Sequence, residues 1–174
     1  MDAGVYQLQG EAEGVKPTEL LQLLQACAEQ RLTLLNRHQA VARLVGNLDF
    51  NNTYQYVVAR EETHLSWLQA AIEELGGVMP ANATLPAIDG GVSVGDLFRQ
   101  DASAAQAFVD AWQPKIEQVT NARHRGMLRV ICGETLEHKR FFDQALAGRE
   151  DLLGRRLDAG PRRGAVMGSR WVGD

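Results

Sequence analysis

Cysteine is scarce in this chain, and its two copies are poorly placed to act together. Cys27 and Cys132 are the only cysteines among the 174 residues, and neither belongs to a Cys-x-x-Cys pair. This spacing excludes a disulfide framework and a rubredoxin-type iron site. Because both residues lie within helical patterns, we expect two free thiols in the core.

Long apolar runs and an excess of one charge are also missing. No segment approaches the roughly 18 consecutive apolar residues of a membrane helix, and the N-terminus lacks the apolar core of a signal peptide. Apolar residues make up 45% and charged residues 23% of the chain, and the formal net charge is −4. This balance favours neither nucleic acid nor membrane as a partner, and we expect a cytoplasmic protein.

The short motifs of several enzyme classes are absent too. The sequence has no phosphate loop and no Gly-x-Ser-x-Gly, His-Glu-x-x-His or Gly-x-Gly-x-x-Gly word, so hydrolase and dinucleotide-binding functions have no support. His38 and His124 stand beside arginines, and such clusters are usually solvated faces.

Four amphipathic stripes predict an all-α fold. Predicted helix 1 runs from Pro17 to about Gly46, and helix 2 from Phe50 or Asn52 to Leu75. Helix 3 begins at Val94–Asp96, and Pro114 should kink or shorten its end. Helix 4 has its N-cap at Thr120 or Asn121 and runs to about Gly148. Because residues 47–49 form a short link, helices 1 and 2 should be antiparallel neighbours.

The segment from Gly76 to about Gly95 cannot continue a helix, because prolines and glycines interrupt it. A connection of this length, about 20 residues, can travel along a whole bundle. That path would place helix 3 parallel to helix 2. The sequence therefore predicts an up-down four-helix bundle with one long crossover between helices 2 and 3.

One domain is expected at this chain length, with a looser segment at each end. Residues 1–16 are predicted to be a flexible arm, residues 17–148 the bundle, and residues 149–174 a Gly/Arg-rich tail. The tail carries the apolar residues Trp171 and Val172, which we expect to dock on this domain or on a partner.

Within predicted helix 2, Glu61 and His64 are three residues apart and therefore project from the same face. Apolar residues at helical spacing turn that face towards the interior: Val57, Val58, Leu65, Leu68 and Ile72. A carboxylate and an imidazole so placed can bind one ion together, although a lone Glu-x-x-His is more often exposed. A second half-site is needed to favour metal binding.

Helix 4 supplies such a half-site. Glu134, Glu137 and His138 occupy positions i, i+3 and i+4 of one helical face. The helices before the two half-sites each carry an acid at a similar offset, because Glu29 lies 32 residues before Glu61 and Asp101 lies 33 residues before Glu134. These offsets predict that the two acids lie at matching heights in the bundle.

Over roughly residues 18–147 the chain resembles the ferritin-like superfamily, the di-iron and di-manganese four-helix bundles that include bacterioferritin and rubrerythrin. In that family each helix pair contributes a Glu and then a Glu-x-x-His. The stretch Glu61-Glu62-Thr63-His64-Leu65-Ser66-Trp67-Leu68 is similar to the second of these elements. Two positions depart from the pattern: Asp101 stands in place of Glu, and Glu137 stands in place of His, with His138 one residue late.

The resemblance implies a dinuclear centre of two iron ions, with manganese as the alternative, bridged by Glu61 and Glu134. It further implies an oxidoreductase that reacts with oxygen or peroxide and oxidises ferrous iron, and that is assembled as a homo-oligomer. Glu137 is expected to be a ligand, and His138 a supporting or surface group. Without metal, several of the carboxylates should take up protons. The implied ligand set is Glu29, Glu61, His64, Asp101, Glu134 and Glu137, with His138 as the alternative ligand on helix 4.

A second hypothesis fits the same residues. The bundle is then a relict whose former site is a polar network with arginine partners, and the protein is a structural, cargo or assembly module without metal.

Overall fold

The computed structural model describes residues 17–81, 87–88 and 91–153. Within these residues the chain forms four α-helices and no strand. The helices are α1 (Pro17–Ala42), α2 (Leu48–Glu74), α3 (Val94–Glu117) and α4 (Ala122–Leu146). The arm predicted at residues 1–16 lies outside the described residues, and so does the predicted tail from residue 154 onward, including Trp171 and Val172.

Asparagine side chains set the turn between α1 and α2. Asn47, in the predicted link, caps α2: its side chain accepts hydrogen bonds from the backbone N–H groups of Asp49 and Phe50. Asn51 donates from Nδ2 to the carbonyl oxygen of Ala42 at 2.8 Å. This bond satisfies a carbonyl at the end of α1, and the helix ends four residues before Gly46.

The other helix ends follow local sequence signals. Ser93 and Asn121 cap α3 and α4, and the latter was one of the two predicted caps. Gly76 follows α2 in a left-handed conformation, with φ of 76°, which a glycine adopts without steric cost. Pro114 lies inside α3, which continues to Glu117, so the proline does not shorten the helix there.

Contacts between helices establish the topology. Tyr54 near the start of α2 bonds to Asp101 near the start of α3, so these two helices run parallel. Tyr56 of α2 packs against Phe141 near the end of α4, so those two helices are antiparallel. The predicted fold class, an up-down four-helix bundle with a long crossover between helices 2 and 3, is confirmed.

Two apolar clusters fill the core at different heights. One contains Leu24, Leu68 and Ile131, and the other contains Val57 and Phe142. The free cysteines, as predicted, are both buried, and burial raises the pKa of the Cys27 thiol to about 12. Between the clusters lies a set of buried polar side chains, which we call the central polar layer: Arg31, His38, Glu61, His64, Asp101, Thr135 and His138.

None of the four helices combines the length and apolar character needed to cross a membrane, and neither does any other described part of the chain.

Candidate functional site

All four helices contribute to the central polar layer. Helix α1 contributes Arg31 and His38, α2 Glu61 and His64, α3 Asp101, and α4 Thr135 and His138, each with at most 2% of its surface exposed. Buried polar groups are costly unless they are paired, so the partners of each side chain decide what the layer can do.

Arg31 lies at the centre of the layer. Its Nη1 donates to Thr135 Oγ1 at 2.9 Å, and its Nη2 donates to Glu61 Oε1 at 3.3 Å. The same Nη2 lies 3.0 Å from Nδ1 of His64. The guanidinium carbon also stands 5.1 Å from the centre of the Phe108 ring. A permanent positive charge therefore occupies the space between α1, α2 and α4.

Glu61 has a second basic partner in His38. His38 Nδ1 lies 2.9 Å from Glu61 Oε2, and both side chains are buried. Burial alone would raise the pKa of Glu61, but the neighbouring His38 and Arg31 outweigh burial and lower that pKa to about 2. Burial would likewise lower the pKa of His38, yet the charge of Glu61 and the hydrogen bond to it raise that pKa above 6.5.

Asp101 is held from two sides. Tyr54 donates its hydroxyl to Asp101 Oδ2 at 2.5 Å, and Arg37 donates Nε–H to Asp101 Oδ1. Nε2 of His38 lies 4.0 Å from Asp101 Oδ1. Asp101 is thus linked to the rest of the layer through His38, and its charge is compensated by an arginine.

Glu134 closes the layer where α2 and α4 meet. Arg60 donates hydrogen bonds to both carboxylate oxygens of Glu134, with Nε–Oε2 and Nη2–Oε1 distances of 2.8 and 2.6 Å. His64 Nε2 lies 2.8 Å from Glu134 Oε2. Burial, together with the charge of Arg31, lowers the pKa of His64 to about 4, so this ring is neutral at pH 7 and donates Nε2–H to Glu134.

His138 differs from its neighbours because its ring nitrogens have no hydrogen-bond partner among the described residues. Its ring stacks against that of His64, with centroids 6.3 Å apart. Burial lowers the pKa of His138 to about 3, although the charge of Glu61 opposes this shift. Nε of Arg31 and Nε2 of His38 are also without a hydrogen bond there.

The structure brings most of the sequence-predicted site residues together and leaves two outside. Glu61, His64, Asp101 and His138 are in the layer, and Glu134 lies at its edge. Glu29 is exposed on the outer face of α1. Glu137 is exposed over 42% of its side chain, with Arg140 at 3.8 Å.

The predicted facing of helix 4 is wrong. Glu137 was expected to face the interior and His138 to lie beside it, and the structure has the opposite order, with His138 1% exposed. The reason is that the inward pair on α4 is Thr135 and His138, three residues apart, which rotates Glu134 and Glu137 towards the edge. The expected protonation of metal-free carboxylates also fails at Glu61, because arginine and histidine compensate its charge.

Sequence reasoning missed Arg31, His38, Tyr54 and Thr135, and it wrongly assigned His38 and His124 to a solvated face, since both are buried. A signal was present on helix 1. Arg31 and His38 are seven residues apart and share a face with Leu24 and Leu35, so they belong to the apolar stripe.

These residues do not fit a dinuclear metal centre. In the described parts of the chain, no group of three or more His, Cys, Asp or Glu side chains is arranged so that it could hold a metal ion. Helix α1 contributes no inward carboxylate, and it places the Arg31 guanidinium between Glu61 and His64 instead.

Comparison with known proteins identifies the fold. A conserved hypothetical protein from Mycobacterium tuberculosis is similar, with a TM-score of 0.65 and 14% identity over 86% of this chain and 99% of that one. The Desulfovibrio desulfuricans bacterioferritin, a protein with a diiron site, has a TM-score of 0.62 and 16% identity, covering 87% of this chain and 96% of its own.

A two-domain protein from Anabaena variabilis, with DJ-1/ThiJ/PfpI-like and ferritin-like domains, gives a TM-score of 0.66 and 12% identity. That match covers 95% of this chain and 49% of the other. No protein-family model and no curated protein sequence matches significantly. At these identities the likeness shows the fold alone.

Proposed function

We propose that this chain, which has the ferritin-like four-helix fold, is a bundle whose interior carboxylates are compensated by arginines and that it serves as a structural or assembly module. The observation that carries the proposal is that the carboxylates in the central polar layer and at its edge each have their own arginine. Arg31 pairs with Glu61, Arg37 with Asp101, and Arg60 with Glu134.

Charge is the physical reason why this arrangement disfavours a dinuclear centre. In ferritin-like metal sites, carboxylates compensate the charge of the ions. Here arginines already compensate those carboxylates, and one guanidinium stands among the candidate ligands. A divalent ion about 4 Å from Arg31 would meet a repulsion of roughly 8 kcal/mol at an effective dielectric constant near 20.

The competing proposal is the dinuclear iron or manganese oxidoreductase that the sequence favoured, which would react with oxygen or peroxide. Two observations favour it: the donor types in the layer, imidazole and carboxylate, suit these metals, and the nitrogens of His138 are without a hydrogen-bond partner in the described chain. It requires the Arg31 side chain to leave its three contacts with Glu61, His64 and Thr135.

Exposed apolar residues support the assembly role. Leu44, Leu146 and Leu153 expose 42%, 38% and 48% of their surface, and all three lie at the end of the bundle where α1 and α4 finish. We propose that copies of the chain associate through this end of the bundle. Light scattering of the wild type against Leu146→Glu tests this step, and a monomeric wild type would count against it.

Removal of metal tests the proposal as a whole. The full-length protein is purified, treated with a chelator, and compared before and after treatment by far-ultraviolet circular dichroism and thermal unfolding. We expect the same helical signal and the same Tm, because no internal ion pair depends on a metal. A Tm that falls on chelation and recovers when iron or manganese is added would support the competing proposal.

A further inference from the structure

Hydrogen-bond donors from α2 converge on a single carboxylate of α4. Arg60 donates to Glu134 from Nε at 2.8 Å and from Nη2 at 2.6 Å, one bond to each carboxylate oxygen. Nε2 of His64 lies 2.8 Å from Glu134 Oε2. Because Arg60 and His64 are four residues apart, they project from the same side of α2. A guanidinium fork and an imidazole N–H directed at one carboxylate form the donor set of a carboxylate-binding site.

The donors are held in place by residues other than Glu134. Arg31 Nη2 lies 3.0 Å from His64 Nδ1, and an arginine can only donate, so Nδ1 accepts this bond and Nε2 carries the ring hydrogen. The centre of the Trp67 ring is 5.9 Å from the guanidinium carbon of Arg60 and 5.5 Å from the centre of the His64 ring. The donor set therefore stays assembled when the Glu134 side chain turns away.

Glu134 is also the acid of the layer that solvent reaches most easily. Its side chain is 25% exposed and that of Arg60 is 30% exposed, whereas the side chains of Glu61 and Asp101 are at most 1% exposed. A carboxylate from solution can therefore approach Arg60 from the surface once Glu134 swings outward. The same exchange is closed to Glu61 and Asp101, because the bundle encloses them.

We propose that Arg60 and His64 form a binding site for the carboxylate of a small organic acid, and that Glu134 occupies this site as an internal ligand that the acid displaces. Glu134 is tied to α4 beside the donors, so it competes at a high effective concentration and weakens binding to the wild type. The site depends on these donors alone, so it is independent of whether the bundle serves in assembly.

Glu134→Ala combined with acetate is the direct test. The substitution removes a CH₂–COO⁻ group, and acetate supplies the same heavy atoms. Acetate is a very small ligand, so we expect a dissociation constant of roughly 1–10 mM. At about 100 mM, acetate should raise the Tm of the chelator-treated variant by about 3–10 °C relative to the same concentration of sodium chloride. Acetamide, which has the same shape and no charge, should leave the Tm unchanged.

Two further variants locate the effect. Glu134→Ala with Arg60→Gln lacks the guanidinium fork, so acetate should no longer raise its Tm above the value in chloride. Glu137→Ala is the matched control, because it removes a more exposed acid of the same helix, whose partner Arg140 is 3.8 Å away. Acetate should act on this control no more than chloride does. A rise that persists in the double variant, or that appears equally in Glu137→Ala, would overturn the proposal.

Displacement of Glu134 is tested in the wild type by nuclear magnetic resonance. The Arg60 Nε–H signal, assigned by its loss in Arg60→Gln, is followed as acetate is added to the full-length protein. We expect this signal to shift with a dissociation constant at least about tenfold higher than in Glu134→Ala. An unmoved signal up to about 1 M acetate, or a dissociation constant equal to that of the variant, would refute the role of Glu134 as an internal ligand.

The outcome in Glu134→Ala is separate from the fate of the proposed function. A folded variant whose Tm is the same in acetate and in chloride overturns the carboxylate site, while the arginine pairs of the wild type remain as described. If Glu134→Ala is unfolded in chloride, refolding in acetate supports the site and continued unfolding refutes it.

Discussion

Arg31 and Glu61 form an ion pair that the bundle encloses, with 3.3 Å between Nη2 and Oε1 and no more than 1% of either side chain exposed. An enclosed pair of this kind contributes little net stability compared with apolar residues of the same volume, but it makes each partner indispensable to the other. The central polar layer is therefore sensitive to the loss of single charges.

Glu61→Gln removes one charge and keeps the shape of the side chain. It leaves Arg31 in the core without a counter-ion, so we expect the free energy of unfolding to fall by about 3–5 kcal/mol. Urea unfolding followed by circular dichroism at pH 7 measures the change. Glu29→Gln is the control, since Glu29 is exposed on the same bundle, and it should change stability by less than about 0.5 kcal/mol. Equal, small effects of both variants would contradict the enclosed ion pair.

The facing of α4 can be tested by a pair of alanine variants. His138 is buried and Glu137 is exposed at the surface, so His138→Ala should lower the free energy of unfolding by about 2 kcal/mol through the cavity that it leaves. Glu137→Ala should stay within about 0.5 kcal/mol of the wild type. Thermal or urea unfolding of the two variants side by side gives the answer. The reverse order would restore the arrangement that the sequence suggested.

Stability should fall as the pH is lowered below 6.5. The folded-state pKa is about 4 for His64 and about 3 for His138, both below the ordinary 6.5, so the unfolded chain binds more protons than the folded chain within those intervals. The stability that each neutral histidine contributes is complete above pH 6.5. It is lost as the pH falls towards 4 for His64 and towards 3 for His138. Each histidine can add a slope of up to about 1.4 kcal/mol per pH unit.

Glu61 extends the same trend to lower pH, because its pKa is lowered from 4.5 to about 2. His38 acts in the opposite direction: its raised pKa gives stability that is complete below 6.5 and declines as the pH rises through the folded value. Urea unfolding at a series of pH values measures the slope. His138→Leu should flatten it between pH 6.5 and pH 3, and an unchanged slope in that variant would show that His138 does not remain neutral in the fold.

The sequence was sufficient for the fold because its signals are local and repeated. Apolar stripes, asparagine caps and the interrupted segment after Gly76 each specify a helix or an end, and together they predicted four helices and the crossover. The predicted helix boundaries were less accurate where a side chain from another helix bonds to the backbone at a helix end. Asn51 binding the carbonyl of Ala42 is such a case.

The site was harder to predict, because a helical residue faces inward or outward according to rotation about the helix axis. The similar offsets did not bring Glu29 level with Asp101: Asp101 bonds to Arg37, whereas Gln30, next to Glu29, bonds to Trp112, eleven residues further along α3. Residues two apart on a helix also differ by about 200°, so an inward Arg31 turns Glu29 outward. On α4 a shift of one residue, about 100°, separates His138 from Glu137. Spacing along the chain does not show which of two neighbouring residues points inward, because packing against the other helices decides that.

Metal content tests the central claim most directly. The full-length wild type is purified from cells supplied with iron and manganese, and the ions per chain are measured by elemental analysis. Because Arg31, Arg37 and Arg60 already compensate Glu61, Asp101 and Glu134, we expect neither metal above background. About two ions of iron or manganese per chain, lost when Glu61 is replaced by alanine, would contradict the account.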